Sequence, residues 1–188
     1  MQVQRRLHIT FFPEPRSATS KTSEGGRMST HIPDGNVSIR EVKEKVVIEG
    51  TESEYDNWGE YAPEARSMEL RRWVIELDDG ISVVPVGDMS SHWIWYGPSP
   101  GSKAANIGIA LATVWRGKGI GAIAQRLLAQ CLHDEGIHRV EASTDVENIP
   151  EQRSLAKAGF KLEGVIRGSQ MRADGRHDIQ GWSHLPGD

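Results

Sequence analysis

Residues 106–136 read NIGIALATVWRGKGIGAIAQRLLAQCLHDEG, and the changes of pattern along this stretch decide the fold. Asn106 to Trp115 is rich in Ile, Leu and Ala, the near-continuous apolar run of a central strand buried on both faces. A turn follows, Arg116-Gly117-Lys118-Gly119-Ile120-Gly121-Ala122. From Ile120 to Glu135 the period becomes helical: Ile120, Ala124, Leu127, Leu128 and Cys131 fall on one side, and Gly136 supplies the stop. A strand that runs through a glycine turn into a helix is one half of an α/β unit.

Downstream, HRVEASTDV at 138–146 reads as the next strand. Its alternation puts Arg139, Glu141, Ser143 and Asp145 on one face, with Val140, Ala142, Thr144 and Val146 on the other. Pro150 opens a second helix that ends at Gly159. FKLEGVIRG and HDIQGWSHL are two closing strands joined through Ala173-Asp174-Gly175. Upstream, VSIREV at 37–42 is a first strand. RRWVIEL and a segment within VVPVGDMSSHWIWY are the next two, turning at Asp78-Asp79-Gly80. Between them, 51–66 is polar with scattered aromatics and reads as short helices or a loop. The order of strands, helix, strand, helix, strands predicts one mixed α/β sheet flanked by helices.

The 188 residues leave room for one ordinary domain. Residues 1–36 mix Pro, Ser, Gly and Arg with the single apolar patch LHITFF, too little to offset chain entropy, so they are expected to be a disordered extension before a domain at 37–188. Met28 is an alternative start, which would place 1–27 upstream of the native chain. With 22 Lys+Arg against 26 Asp+Glu and the signs interspersed, a broad nucleic-acid face is not expected. One cysteine allows no internal disulfide and argues against a metal cluster; no apolar run approaches the roughly 18 residues that span a bilayer. A soluble, cytoplasmic protein without metal or membrane partner is the expectation.

Glycines let successive backbone N–H groups converge, and a helix start adds its positive end, so the 116–122 turn favours phosphate oxygens. Arg116 and Lys118 add charge. A Walker-type loop would need glycine at Ala112 and Ser or Thr at Gly119, and fails. Gly117, Gly119 and Ala122 do satisfy a dinucleotide fingerprint, with Glu141 as ribose-binding acid. Against it, four residues intervene after the apolar strand segment, Glu141 falls early in its strand, and too few helical crossovers follow.

Arg116, Gly119 and Gly121, between an aliphatic strand and a long helix, together with Asn148 near a strand end and Gly159-Phe160 closing the next helix, resemble the GNAT acetyltransferase superfamily. NIPEQRSLAKAGFKLEGVIRG and DGRHDIQGWSHL are similar to its branch of ribosomal-protein N-terminal acetyltransferases, the RimJ/RimL-like proteins. The resemblance covers roughly Val37 to Leu185, most strongly from Asn106. It implies a mostly antiparallel sheet splayed between the strands at 106–111 and 140–146, with acetyl-CoA in the gap. It implies pantetheine contacts with the backbone near Leu111 and Thr113, and diphosphate on Arg116, Gly117, Lys118, Gly119, Ile120, Gly121 and Ala122. Asn148 would lie in a second cofactor segment, and Arg153 and Lys157, four residues apart, could approach the phosphates.

Direct amide formation needs a neutral amine, a polarised thioester carbonyl and an outlet for the thiolate. An α-amine, with pKa of about 7.7 to 8.0, is far easier to deprotonate at pH 7 than a lysine at about 10.4. Some relatives carry glutamate just before the glycine of the cofactor strand, where this chain has Asn106-Ile107-Gly108. His92 is therefore the first candidate base, sharing a strand face with Ser90, and Glu141 and Asp145 are alternatives. Both carboxylates are otherwise expected to pair with cations of the covering helix. Many relatives protonate the thiolate with a tyrosine seven residues after the asparagine; Leu155 stands there, leaving Ser154 as a hydrogen-bonding candidate. Trp58, Tyr61 and Ser90 are expected to line the acceptor pocket; His177 and Asp178 are read first as strand-turn residues and second as its border. Cys131 belongs to the apolar helix stripe, so no covalent acyl-enzyme is expected. The leading reading is acetyl transfer to a primary amine, of a protein N-terminus or a small molecule. Its rivals are an acyl-CoA-binding module without turnover and an NAD(P)-dependent oxidoreductase. A homodimer is compatible with the sequence.

Overall fold

The computed structural model describes residues 36–56, 69–78 and 80–188. Seven strands and two helices follow in the order β1 (Val37–Val42), β2 (Arg71–Asp78), β3 (Val83–Trp95), β4 (Lys103–Leu111), α1 (Ile120–Asp134), β5 (Arg139–Asp145), α2 (Ile149–Ala158), β6 (Lys161–Arg172) and β7 (Gly175–His184). They form one sheet of spatial order β1-β2-β3-β4-β5-β7-β6. Every neighbouring pair is antiparallel except β4 and β5. The helical connection through α1 explains that exception, because parallel neighbours need a long crossover.

The register of β4 and β5 positions the site. They pair only from Ala104↔Arg139 to Ile107↔Ala142. Beyond that point β4 stays with β3 as far as Leu111↔Gly87, while β5 stays with β7 as far as Asp145↔Ile179. The sheet thus parts into a V between 108–111 and 143–145, the splay that the family resemblance implies.

One face of the sheet carries the core. Met89, Ala105, Ile107, Val140 and Ala142 pack with Ile120, Ile123, Leu128 and Leu132 of α1 and with Leu155 and Ala158 of α2. Hydrophobic burial therefore fixes both helices against the sides of the V, at about 25 cal/mol for each Å² of apolar surface removed from water. The reverse face presents Ser90, His92, Asn106 and Glu141, aligned by the register Ser90↔Gly108, His92↔Asn106 and Asn106↔Glu141.

The helix ends follow their sequence signals. Asn148 caps α2 by accepting a 3.3 Å hydrogen bond from Glu151 N, Pro150 lies in the first turn, and Gly159 closes the helix at φ 99°. Gly119 is the N-cap of α1 at φ 87°, a conformation that a side chain disfavours. The apolar run at 106–115 divides: the strand begins three residues earlier, at Lys103, and ends at Leu111, and a single 3-10 turn occupies Thr113–Trp115. That turn separates the strand end from the glycines. The closing hairpin is tighter than expected, with β6 extending to Arg172 and β7 starting at Gly175.

Candidate functional site

The mouth of the V is framed by the glycine turn on one side and the start of α2 on the other. No side chain caps α1, so the N–H groups of its first turn, which have no intrahelical acceptors, face outward from Gly119. Lys118 lies beside them, its ammonium 4.6 Å from the centroid of the Trp115 ring. Trp115 in turn packs against the core and so anchors the turn.

The Arg116 side chain points elsewhere. Its guanidinium donates to three backbone carbonyls: Nε to Leu111 at 2.8 Å, and the terminal nitrogen to Glu52 at 2.7 Å and Gly50 at 3.3 Å. Thr113 N also donates to Gly50 O at 2.8 Å, and Tyr55 Oη reaches Glu147 O at 3.2 Å. Residues 50–55 therefore run across the mouth of the V from the end of β4 to the end of β5. Arg116 holds this crossing segment, a role that sequence spacing did not disclose.

Ser90 and His92 stand on the reverse face where the two strands part. Ser90 Oγ lies 3.3 Å from where a Cβ at Gly108 would project, so glycine leaves the hydroxyl room. Burial holds the His92 imidazole below its usual pKa, so it is neutral and competent to accept a proton near pH 7. Glu141 is committed by contrast. It accepts from Arg139 on its own strand, and Arg139 also bonds Glu163 on β6. Asp145 pairs with Arg172 at 2.8 Å and His177 Nδ1 at 3.0 Å, while its other oxygen accepts from Glu147 N at 2.7 Å. Both carboxylates thus find their cations on strands of the sheet instead of the covering helix, because their face of β5 points away from α1. His177 bridges Asp145 and Asp174, and the latter raises its pKa first; Asp178 binds Gly168 N at 2.6 Å. These last two residues secure the β6–β7 hairpin beside the V.

Ser154 and Leu155 separate on α2. Leu155 is fully buried in the core. Ser154 Oγ lies 3.0 Å from where a Cβ of Gly121 would stand, a point that Leu111 Cδ1 approaches to 3.5 Å. Gly121 thereby lets the first turn of α1, the end of β4 and Ser154 converge. Ser154 donates to Gln125 Oε1 at 2.9 Å, and Gln125 Nε2 donates to Glu151. Sequence reading missed Gln125 and Glu151, since only helix packing joins them. Arg153 and Lys157 are exposed. Cys131 is half-buried, and burial first and Glu135 second push its thiol up to about 11, which makes it a poor nucleophile. Trp93 packs at the core edge and Trp95 is exposed. Trp58 and Tyr61 lie outside the described residues. Among those described, no helix is long and apolar enough to cross a membrane.

Comparison with known proteins bears on the same elements. Residues 36–161 match the acetyltransferase (GNAT) domain family. A probable N-acetyltransferase of Bacillus subtilis, YjcK, is 39% identical over 66 residues, which are 35% of this chain and 36% of that protein. RimJ of Mycobacterium smegmatis, solved in complex with CoA-disulfide, shares 26% identity at a TM-score of 0.53, over 62% of this chain and 53% of that one. The microcin C7 self-immunity acetyltransferase MccE, solved with acetyl-CoA and AMP, shares 25% identity at a TM-score of 0.51, over 62% and 61%. The matched part thus spans about a third of the curated relative and about half of RimJ. A seven-stranded sheet with one parallel pair is also not the doubly wound parallel sheet that the dinucleotide reading requires. The chain belongs to the GNAT acetyltransferase family.

Proposed function

We propose that this chain transfers an acetyl group from acetyl-CoA to a primary amine, by direct attack within a ternary complex. The observation that carries this reading is the parting of β4 and β5 after Ile107↔Ala142, beside the uncapped first turn of α1. The residues fit the co-substrate. The N–H groups of Gly117 to Ala122, with Lys118 beside them, would take the diphosphate, and Arg116 would act by holding the turn. Backbone groups near Leu111 and Thr113 would hold the pantetheine, with Asn148 and Lys157 on the far side. Bound acetyl-CoA supplies a thioester carbonyl and a thiolate leaving group.

The remaining steps belong to the chain. His92, neutral through burial, accepts the proton that the amine loses on forming the amide bond. A backbone N–H near Leu111 polarises the carbonyl. Ser90 lines the acceptor side. The resemblance of NIPEQRSLAKAGFKLEGVIRG and DGRHDIQGWSHL to the ribosomal-protein N-terminal acetyltransferases supports the α-amine of a protein N-terminus as acceptor, and a small-molecule amine is the second candidate. Leu155, buried where many relatives offer a tyrosine, supports an acyl-CoA-binding module without turnover as the rival reading.

A melting scan with acetyl-CoA, CoA, NAD and NADP tests the co-substrate, since a ligand that binds only the folded state raises the melting temperature. A rise with acetyl-CoA and CoA alone is expected. Thiol release over a panel of peptide N-termini and small amines then separates enzyme from binding module. No turnover over the whole panel would favour the module.

A further inference from the structure

Gln125, buried between the two helices, joins the half-buried Glu151 and Ser154 in a polar chain that the reading above does not use. Glu151 lies in the first turn of α2, and its carboxylate accepts from Gln125 Nε2 of α1. The opposite atom of the same amide, Gln125 Oε1, accepts the Ser154 hydroxyl hydrogen at 2.9 Å. Gln125 is itself 1% exposed, so its amide has these two partners to satisfy inside the fold. Ser154 Oγ is the end of the chain nearest the V, standing against Gly121 and Leu111.

A primary amide between a carboxyl group and a hydroxyl has two orientations, and the carboxyl proton selects between them. With Glu151 ionised, the amide NH2 must face it, the carbonyl faces Ser154, and the hydroxyl hydrogen is spent on that carbonyl. With Glu151 protonated, the acid donates to the carbonyl, the NH2 turns to Ser154 Oγ, and the hydroxyl hydrogen is released. We propose that Glu151 acts through Gln125 as a positioning residue that frees the Ser154 hydroxyl to donate a hydrogen bond to the CoA sulfur. In acetyl transfer the C–N bond forms and the C–S bond breaks; the electron pair stays on sulfur, where that hydrogen bond stabilises it, and the thiolate later takes a proton from water. This inference rests on the acetyl-CoA site proposed above.

The surroundings suit such a switch near neutrality. Burial pushes the Glu151 carboxyl up to about 7, and the Gln125 hydrogen bond opposes that rise. On its own helix the charged residues are Arg153 and Lys157, both exposed; α1 contributes exposed Arg126 beside Gln125, and Asp145 at the end of β5 is engaged by Arg172 and His177. No charged residue figures among the causes of the Glu151 displacement. The neutral Gln125 amide is the partner of its carboxyl group, while its backbone N–H donates to Asn148 Oδ1.

CoA itself is the probe, because its free thiol reports the hydrogen bond without an acceptor amine. Calorimetry with CoA comes first; absence of binding there would fail the site, not the switch. Ultraviolet absorbance of the bound thiolate then gives the thiol midpoint in wild type, E151Q and S154A. At a thiol midpoint near about 8.5 wild-type Glu151 is ionised and the Ser154 hydrogen is held by Gln125, so E151Q, which removes the charge that turns the Gln125 NH2 toward it, should lower the midpoint by about half a unit or more, and S154A, with no hydroxyl to donate, should not fall below wild type. Side-chain NMR supplies the second readout: the Gln125 amide resonances should titrate with the midpoint of the Glu151 carboxyl, and E151Q should abolish that titration. Cooperative melting and an unchanged circular-dichroism spectrum would show that both variants fold. Equal thiol midpoints in all three proteins, or Gln125 resonances indifferent to Glu151, would overturn the proposal.

Discussion

His92 and Gly121 carry the sharpest tests at the scale of single residues. The His92 imidazole sits below its usual pKa because burial disfavours its charged form, so the base is available through neutrality and is lost only in acid. Replacing His92 by alanine should lower kcat by about 10²-fold with CoA affinity unchanged, and should remove the acid limb of the pH–rate profile. An unaltered profile would make His92 structural. Gly121→Val is a different experiment, because a Cβ there would meet Ser154 Oγ at 3.0 Å and Leu111 Cδ1 at 3.5 Å. The branched side chain has nowhere to go except against the end of β4. Calorimetry should show CoA binding weakened by at least about tenfold, with the sheet retained by circular dichroism.

Among elements, the segment at 50–55 is tied to the turn by Arg116, which donates to Leu111, Glu52 and Gly50. Hydrogen bonds from a charged donor contribute about 1.5 to 3 kcal/mol where buried and less where, as here, the residue is exposed. Arg116→Ala should therefore lower the melting temperature by only a few degrees while raising the KM for acceptor amine more than the Kd for CoA. The opposite order would return Arg116 to phosphate binding. The same elements show what was legible. Strand and helix types were readable wherever the period was sustained, as in 120–134, or a cap was explicit, as at Asn148 and Gly159. The boundaries of β4 were not, because the apolar run at 106–115 does not distinguish an extended strand from the 3-10 turn that follows it. Nor were the partners of Glu141 and Asp145. Alternation fixed their shared face, but Arg172 reaches Asp145 only because β7 lies between β5 and β6. Gln125 and Glu151 escaped for the same reason: one reads as a polar residue within an apolar stripe, the other as a helix-start acid, and only the packing of α1 on α2 unites them.

For the whole molecule, burial of titratable groups sets how stability varies with pH, and two buried groups pull in opposite directions. Glu151 titrates at about 7 in the fold against 4.5 when unperturbed. The folded state holds this proton more tightly than the unfolded chain, so its stabilising effect is full below about 4.5 and is lost as pH rises toward 7. His184 behaves in reverse. Burial first, and then His133 at 3.0 Å, lower its pKa, so the fold disfavours the imidazolium. Its contribution is present above about 6.5 and is lost as pH falls through the lowered value. Phe160 lies edge-on to the same ring at 5.2 Å, and a Cβ at Gly159 would come within 3.2 Å of His184 Nε2, so the imidazole is closely confined. Urea unfolding at intervals from pH 4.5 to 8 should separate the two. E151Q cannot ionise, so its stability relative to wild type should climb by about 2 to 3 kcal/mol between pH 4.5 and 7 and then stay level. His184→Gln should do the converse, gaining on wild type only as pH falls below about 6.5. A difference between E151Q and wild type that does not change over this range would mean that Glu151 ionises as freely in the fold as in water, and the buried chain to Ser154 would lose its proton.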